Sequence, residues 1–74
     1  MLNDLIYITD GIHLMCLPYC KENLHRMAHD LDIKKSWFHK DHYDIPKKRI
    51  EEIKSKCKWI VSPKILVRIR NNNK

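Results

Sequence analysis

The sequence has only one glycine, three prolines and three cysteines in 74 residues, and it has no long apolar run. Its apolar stretches fall far short of the roughly 20 residues that a membrane-spanning helix needs. The N-terminus also lacks the basic-then-apolar arrangement of a secretory signal peptide. An odd number of cysteines without secretory features is typical of reduced thiols. The sequence therefore predicts an intracellular, cytoplasmic protein with no membrane partner.

No repeat, linker or low-complexity segment divides the chain. Residues 1–70 are therefore predicted to form a single α/β domain, and residues 71–74 a disordered tail. A chain of this length buries only about 60% of the surface that its unfolded form exposes, so its core is small. So small a core makes a homodimer a reasonable expectation and leaves no room for a large enclosed pocket.

The spacing of apolar residues predicts three helices and three or four strands. Residues 5–9 are rich in β-branched and aromatic side chains and end at Asp10-Gly11, a turn signal, so they are predicted to form a strand. Further strands are expected at residues 12–17, within 34–38, which a loop follows, and at 58–61. Helices are expected at residues 18–31, 46–57 and 62–70. The predicted fold is a small α/β domain with three short helices packed on a three- to four-stranded sheet.

Positive charge is concentrated in the second half of the chain. Residues 1–33 have two cations and five carboxylates, whereas residues 34–74 have thirteen cations and four carboxylates. A net charge of +6 with a one-sided basic half is typical of proteins that bind nucleic acids, although an ordinary solvated surface is the alternative. Most of these cations form one surface if the second and third helices lie side by side. The cations predicted to bind nucleic acid are Lys40, Lys47, Lys48, Arg49, Lys64, Arg68 and Arg70.

The most distinctive segment, residues 36–44, contains three aromatic residues, two histidines and two carboxylates. Flat rings stack on unpaired bases, so Trp37, Tyr43 and His39 are predicted to contact RNA. Trp37 and Phe38 are adjacent and point to opposite faces if extended, so one is expected in the core and the other available for stacking. Trp59 is predicted to belong to the core.

The same segment also suits acid–base chemistry. His42 and Asp44 lie in it, and Asp10 and His13 lie at neighbouring strand ends from which they can meet it across the sheet. Two histidines in one cleft can exchange protons with RNA while a carboxylate orients one ring. Alternatively, the four side chains hold a divalent ion that activates water, or they only rigidify the domain. The candidate catalytic residues are His42, Asp44, His13 and Asp10.

A second set of ligand types, Cys16, Cys20, His25 and His29, raises the question of a zinc site. On the first predicted helix, Cys20 falls within the apolar stripe, whereas the two histidines lie on the other side. Ligands on opposite sides of a helix cannot converge on one ion. This set is therefore not predicted to bind zinc, and apart from the divalent-ion alternative at His42, Asp44, His13 and Asp10, no metal site and no cofactor are predicted.

Several segments resemble a small domain of uncharacterised function found in bacteria and tailed phages. The matching residues are Tyr7-Ile8-Thr9-Asp10, His13-Leu14, Leu24-His25, Trp37-Phe38, His42-Tyr43-Asp44 and Val61-Ser62 with Leu66-Val67-Arg68. The chain departs from the pattern at Ile12, where the family has a cysteine, and in having a single aspartate after the first strand. Among phages, it is similar to the modifiers of suppressor tRNAs, which are associated with maturation of phage-encoded tRNAs. This resemblance implies an RNA-directed role in the host cytoplasm.

Charge, aromatic content and resemblance together predict a small basic RNA-binding protein that promotes processing or maturation of tRNA or its precursor. One alternative is a histidine-based ribonuclease or phosphotransferase that uses His13 and His42. Another is a phage inhibitor that binds a host protein through its basic face.

Overall fold

The computed structural model describes residues 4–72, which fold into one five-stranded sheet with three helices. The strands are β1 (Ile6–Thr9), β2 (His13–Leu17), β3 (Phe38–His39), β4 (His42–Asp44) and β5 (Trp59–Ile60). The helices are α1 (Lys21–Asp30), α2 (Ile50–Lys56) and α3 (Pro63–Asn72). No helix within residues 4–72 is long and apolar enough to cross a membrane. The predicted small α/β domain is confirmed, with more strands than expected.

The strand order in the sheet is β3-β4-β2-β1-β5. Strands β1 and β2 form an antiparallel hairpin whose turn includes Gly11, with a φ of +100° that favours glycine. Thr9, which is fully buried, closes this turn because its hydroxyl donates to the carbonyl of His13 and accepts from the N–H of Gly11. Strand β4 pairs antiparallel with β2, and β5 pairs parallel with β1.

Helices α1 and α3 cover opposite faces of the sheet. Two neighbouring residues of β4 show this, because successive side chains of a strand point to opposite faces. Tyr43 points to the face of α1, where its hydroxyl meets His25. The neighbouring His42 points to the other face, where it lines a cavity with Leu66 of α3. The buried core comprises Tyr7, Ile8, Leu14, Met15, Cys16, Leu24, Met27, Ala28, Leu31, Ile33, Tyr43, Ile45, Ile53 and Leu66.

Residues 38–44 form a short hairpin. The sequence predicts a strand within residues 34–38 and a loop after it, so β3 overlaps the predicted strand at Phe38 alone and β4 lies in the predicted loop. Phe38 is paired with Tyr43, and His39 with His42, across β3 and β4. Lys40 occupies the turn with a φ of +56°. Strand β4 therefore joins the sheet directly beside β2, and the residues of the predicted loop become strand residues with fixed faces.

The first helix starts later than predicted, at Lys21, because Cys20 is its N-cap. The Cys20 side chain accepts a hydrogen bond from the N–H of Asn23 at 3.4 Å, and Cys20 is exposed. The prediction that Cys20 lies in the apolar stripe of the helix is therefore wrong. The stripe that packs on the sheet consists of Leu24, Met27 and Ala28.

Arg49 connects the beginning of α2 to the end of α1. Its guanidinium donates to the carbonyls of Leu31 and Asp32 at 2.7 and 2.8 Å, and to the carboxylate of Glu52. Arg49 therefore has a structural role where the sequence predicts a phosphate contact. Because α2 begins beside the end of α1 and α3 lies on the opposite face of the sheet, the side-by-side arrangement on which one continuous basic surface depended is not found.

Strand β5 is an edge strand, and its side chains are largely exposed. Trp59 is 45% exposed and Ile60 is 58% exposed. The prediction that Trp59 belongs to the core is therefore wrong. Helix α3 extends to Asn72, so two residues of the predicted tail are helical, and Asn73 and Lys74 lie outside the described residues.

Candidate functional site

His13, His42 and Asp44 meet on the sheet face that carries α3, and we call them the His–Asp cluster. His13 and Asp44 are directly opposite on β2 and β4, and His42 shares their face because it lies two residues before Asp44. The two imidazole rings are edge to face with centroids 4.9 Å apart. His42 Nε2 lies 3.2 Å from Asp44 Oδ1. The pairing of β2 with β4 thus brings together three of the four predicted catalytic residues.

Asp10, the fourth predicted residue, orients His13. Its Oδ2 lies 2.8 Å from His13 Nδ1, and its Oδ1 accepts the N–H groups of Ile12 and His13 at 2.8 and 2.7 Å. Burial raises the pKa of Asp10, but the hydrogen bonds from the His13 side chain and from these two N–H groups outweigh it, so the net pKa is lowered. The ionised carboxylate therefore holds Nδ1 of His13 and leaves Nε2 free.

Asp41 orients His42 in the same way, and the sequence prediction missed it. Asp41 Oδ1 lies 2.8 Å from His42 Nδ1, and Arg70 Nε of α3 lies 3.3 Å from Asp41 Oδ2. Burial raises the pKa of Asp41, but the hydrogen bond with His42 and the charge of Arg70 outweigh it, so the pKa is lowered. Arg70, predicted to contact phosphate, is thus partly occupied in holding Asp41.

Two cavities border the His–Asp cluster. The α3 cavity, about 100 Å³, lies between α3 and the sheet and is lined by His13 and His42 together with Asp10 and Arg70. The basic groove is an open depression of about 950 Å³. Its lining residues are Ile12, His13, Trp37, Asp44, Ile45, Pro46, Lys47, Lys48 and Ile50. The cluster therefore borders a small cavity beneath α3 on one side and a much larger open groove on the other.

The aromatic residues of the predicted RNA site have different environments. Trp37 is 39% exposed and lines the basic groove, whereas Phe38 is partly buried and packs on the rings of His25 and Tyr43. The prediction that one of Trp37 and Phe38 lies in the core while the other is accessible is confirmed for the exposed Trp37, whereas Phe38 is only partly buried against the core. Tyr43 is 1% exposed, so its predicted role in base stacking is wrong. Its hydroxyl lies 2.6 Å from His25 Nδ1 inside the domain.

The remaining predicted contacts are spread around the domain. His39 and Lys40 are exposed at the β3–β4 turn, with the His39 ring centroid 5.5 Å from that of His42. Lys64 and Arg68 are exposed on α3 and line neither cavity. Lys47 and Lys48 are exposed in the basic groove and, with Arg70 in the α3 cavity, form the positive surroundings of the cluster.

Within residues 4–72, the His–Asp cluster is the one group of at least three histidine, cysteine or acidic side chains that is close enough to share a metal ion. The cysteines and histidines considered for zinc do not form such a group. Cys16 is buried in β2, Cys20 caps α1, and His25 is bound to Tyr43. Cys16, Cys20 and Cys57 are free thiols; Cys16 is buried and Cys57 partly buried, whereas Cys20 is exposed.

A family model described as a protein of unknown function, DUF4031, matches residues 11–72, so the chain belongs to this family. The matched range contains all three residues of the His–Asp cluster and Asp41, and it begins one residue after Asp10. No curated protein and no solved structure matches the chain.

Proposed function

We propose that this DUF4031 protein binds RNA in the basic groove and promotes RNA processing at the His–Asp cluster. The observation that carries the proposal is the composition of the groove. Trp37, Lys47 and Lys48 line the same depression as His13 and Asp44. A stacking surface, phosphate-binding cations and reactive side chains are therefore within reach of one bound nucleotide chain.

The groove has the chemistry that unpaired RNA requires. The exposed ring of Trp37 can stack on a base, an interaction that contributes about 1–3 kcal/mol per base in single-strand binders. The two exposed lysines are placed for phosphates, and Ile12, Ile45 and Pro46 supply an apolar wall. Sequence-specific RNA recognition usually uses splayed, stacked bases of loops and ends. Structured RNA with accessible loops is therefore the substrate class that we propose.

The resemblance to the phage modifiers of suppressor tRNAs makes tRNA or its precursor the first RNA to test. In this proposal the protein acts in the cytoplasm, where such RNAs are matured. Its second half supplies the positive field that attracts the polyanion, since residues 34–74 have thirteen of the fifteen lysines and arginines.

RNA binding is tested by measuring the affinity for a tRNA transcript at several salt concentrations. Trp37→Ala should weaken binding by roughly 5- to 150-fold, the equivalent of one lost stacking contact. The double variant Lys47→Ala/Lys48→Ala should reduce the slope of log affinity against log salt by about 0.7–0.9 per lost phosphate contact. A matched control is Lys64→Ala/Arg68→Ala, which removes the same charge from α3. Equal losses in both double variants, or an affinity independent of salt, would contradict groove binding.

Whether the His–Asp cluster performs chemistry is tested separately. A ribonuclease or phosphotransferase that uses His13 and His42 should lose turnover on His42→Ala while retaining nearly full RNA affinity. His13→Ala, at a 42% exposed side chain, is the variant less disruptive to folding and should have the same effect. Equal loss of turnover and affinity, or no turnover in the parent protein, would favour a binding role.

A second candidate function is docking on a host protein, and the exposed edge strand β5 favours it. Trp59 and Ile60 present apolar side chains on an edge whose outer backbone groups can pair with another strand. The same edge suits a homodimer. A pull-down from nuclease-treated lysate that returns one stoichiometric protein, lost on Trp59→Lys, would favour this candidate over RNA binding. Analytical ultracentrifugation distinguishes a host partner from a second copy.

A further inference from the structure

We propose that the His–Asp cluster binds one divalent transition-metal ion such as Zn²⁺ through Nε2 of His13, Nε2 of His42 and a carboxylate oxygen of Asp44. Two imidazoles and one carboxylate are a common ligand set for catalytic zinc and for other first-row ions. The inference specifies the chemistry of the cluster within the proposed function. It does not require RNA binding, because metal binding is measured without RNA.

The ligand atoms of the three side chains lie close together. One ligand atom from each residue lies within 4.8 Å of the other two, and His42 Nε2 is 3.2 Å from Asp44 Oδ1. In a tetrahedral zinc site with bonds of about 2.0–2.1 Å, neighbouring ligand atoms are roughly 3.3 Å apart. The His42–Asp44 separation already fits this value. His13 then needs a shift on the order of 1 Å, which its 42% exposed side chain permits.

The surroundings of His42 give a second reason to place a cation here. Its Nδ1 faces Asp41 at 2.8 Å and its Nε2 faces Asp44 at 3.2 Å. Two carboxylates beside one imidazole make a negative environment that attracts a cation. A metal ion bound to Nε2 and to Asp44 would leave Nδ1–H to donate to Asp41.

Both histidines also have the support that metal-bound histidines almost always have. A metal-bound imidazole donates its other N–H to a carboxylate, carbonyl or water, which fixes its tautomer and orientation. Asp10 fills this position at His13, and Asp41 fills it at His42, each at 2.8 Å. Asp10 is held by two backbone N–H groups, and Asp41 by Arg70. Each histidine of the cluster thus has a carboxylate on Nδ1, which leaves Nε2 as the ring nitrogen that a metal ion would use.

The arrangement suits a cation better than a pair of proton-transfer histidines. In cleavage by two histidines alone, the anionic phosphate must fit between the rings. Here the ring centroids are only 4.9 Å apart, and the Asp44 carboxylate lies 3.2 Å from His42 Nε2, where it would repel that phosphate. An ion held by all three residues reverses the sign of the field. His13 and Asp44 also line the basic groove, so a bound ion would face it.

The test is calorimetric titration of the metal-free full chain with Zn²⁺, with metal analysis of the loaded protein. We expect one ion per chain, and a loss of affinity of at least about tenfold on His13→Ala and on Asp44→Asn. Asp41→Asn should weaken binding by about 10- to 100-fold through His42 without removing a ligand. His29→Ala and Asp4→Asn, at exposed positions, are the matched controls and should leave the affinity unchanged.

Cobalt substitution identifies the ligands independently of affinity. Co²⁺ bound by two imidazoles and a carboxylate should give visible d–d bands without the near-ultraviolet charge-transfer band of a thiolate. Thermal unfolding of each variant without metal shows whether it is folded. The inference is overturned if Zn²⁺ does not bind, if binding in folded His13→Ala and Asp44→Asn equals that of the parent, or if the cobalt spectrum shows thiolate coordination. Loss of RNA binding alone would refute the proposed function and leave the metal site standing.

Discussion

The contact between Tyr43 and His25 gives a direct test of how the core is held. The Tyr43 hydroxyl lies 2.6 Å from His25 Nδ1, and Tyr43 is 1% exposed. Burial raises the pKa of Tyr43, so the phenol keeps its proton. Tyr43→Phe removes the hydroxyl of this hydrogen bond and keeps the ring that packs on Phe38, whereas His25→Ala removes the imidazole and leaves the buried hydroxyl without its partner.

The expected loss in the free energy of unfolding depends on which group loses its hydrogen-bond partner. Tyr43→Phe should lower the free energy of unfolding by about 1 kcal/mol, the net value of one intramolecular hydrogen bond. His25→Ala should cost about 1–3 kcal/mol, because an unsatisfied buried hydroxyl is more expensive than a lost bond. In a domain of this size, each kcal/mol lowers the midpoint of thermal unfolding by about 4–8 °C. Both effects are therefore measurable.

The assay is urea unfolding, followed by circular dichroism, of the parent, both single variants and the double variant. Because both changes remove the same bond, the double variant should cost less than the sum of the singles by at least about 0.5 kcal/mol. His29→Ala, on the exposed face of the same helix, is the control and should change stability by less than about 0.5 kcal/mol. Additive costs, or a neutral Tyr43→Phe, would refute the hydrogen bond.

Three further predictions concern acid stability, thiol reactivity and packing. The pKa of Glu52 is lowered to about 2, mainly by hydrogen bonds from Arg49, so its stabilising effect is present above the ordinary value of 4.5 and is lost as pH falls toward 2. In urea unfolding, the free energy of unfolding of Glu52→Gln should therefore fall less than that of the parent protein as the pH is lowered across that range. Cys20, which is exposed, should react first with iodoacetamide in mass spectrometry, whereas burial raises the pKa of Cys16 to about 12 and protects it. Ile53→Ala, at a fully buried position, should cost about 2–5 kcal/mol in the same unfolding assay, and a cost below 1 kcal/mol would contradict the packing.

The longer elements were predictable because the spacing of apolar residues reports their burial directly. Strands β1 and β2 and helix α1 lie within three residues of their predicted limits. The sequence predicts a strand within residues 34–38, which β3 overlaps only at Phe38, and it does not predict β4, because strands of two and three residues are too short to show alternation. Three of the five residues in these two strands are His39, His42 and Asp44, which resemble loop residues in a single sequence.

Errors at single residues arose where burial depends on distant parts of the chain. Trp59 is apolar and has an apolar neighbour, but it lies on an edge strand that leaves it 45% exposed. Cys20 has the correct angular position on a helical wheel, but the helix begins after it. Arg49 is one of several cations in sequence, and only the position of the α1 carboxyl end reveals its role.

The sequence predicts which residues belong to the candidate site, but it does not predict how they are arranged. Grouping Asp10 and His13 with His42 and Asp44 followed from residue types near predicted strand ends. That Asp44 lies opposite His13, however, depends on the pairing of β4 with β2, and this pairing has no local signal. Asp41 was missed because its role requires both the His42 contact and Arg70, which is 29 residues away in sequence.

The segment His42-Tyr43-Asp44 joins the core to the site through strand alternation. Tyr43 is buried against α1, so its two neighbours must point to the other face, where His13 lies. A shift of one residue in the pairing would turn the two polar side chains toward the apolar residues under α1 and would remove the tyrosine ring from its packing there, which is unfavourable. The buried ring therefore sets the register that brings His42 and Asp44 to His13. In a domain this small, the same three residues hold the sheet in place and build the cluster, so its geometry depends on a core contact on the opposite face of the sheet.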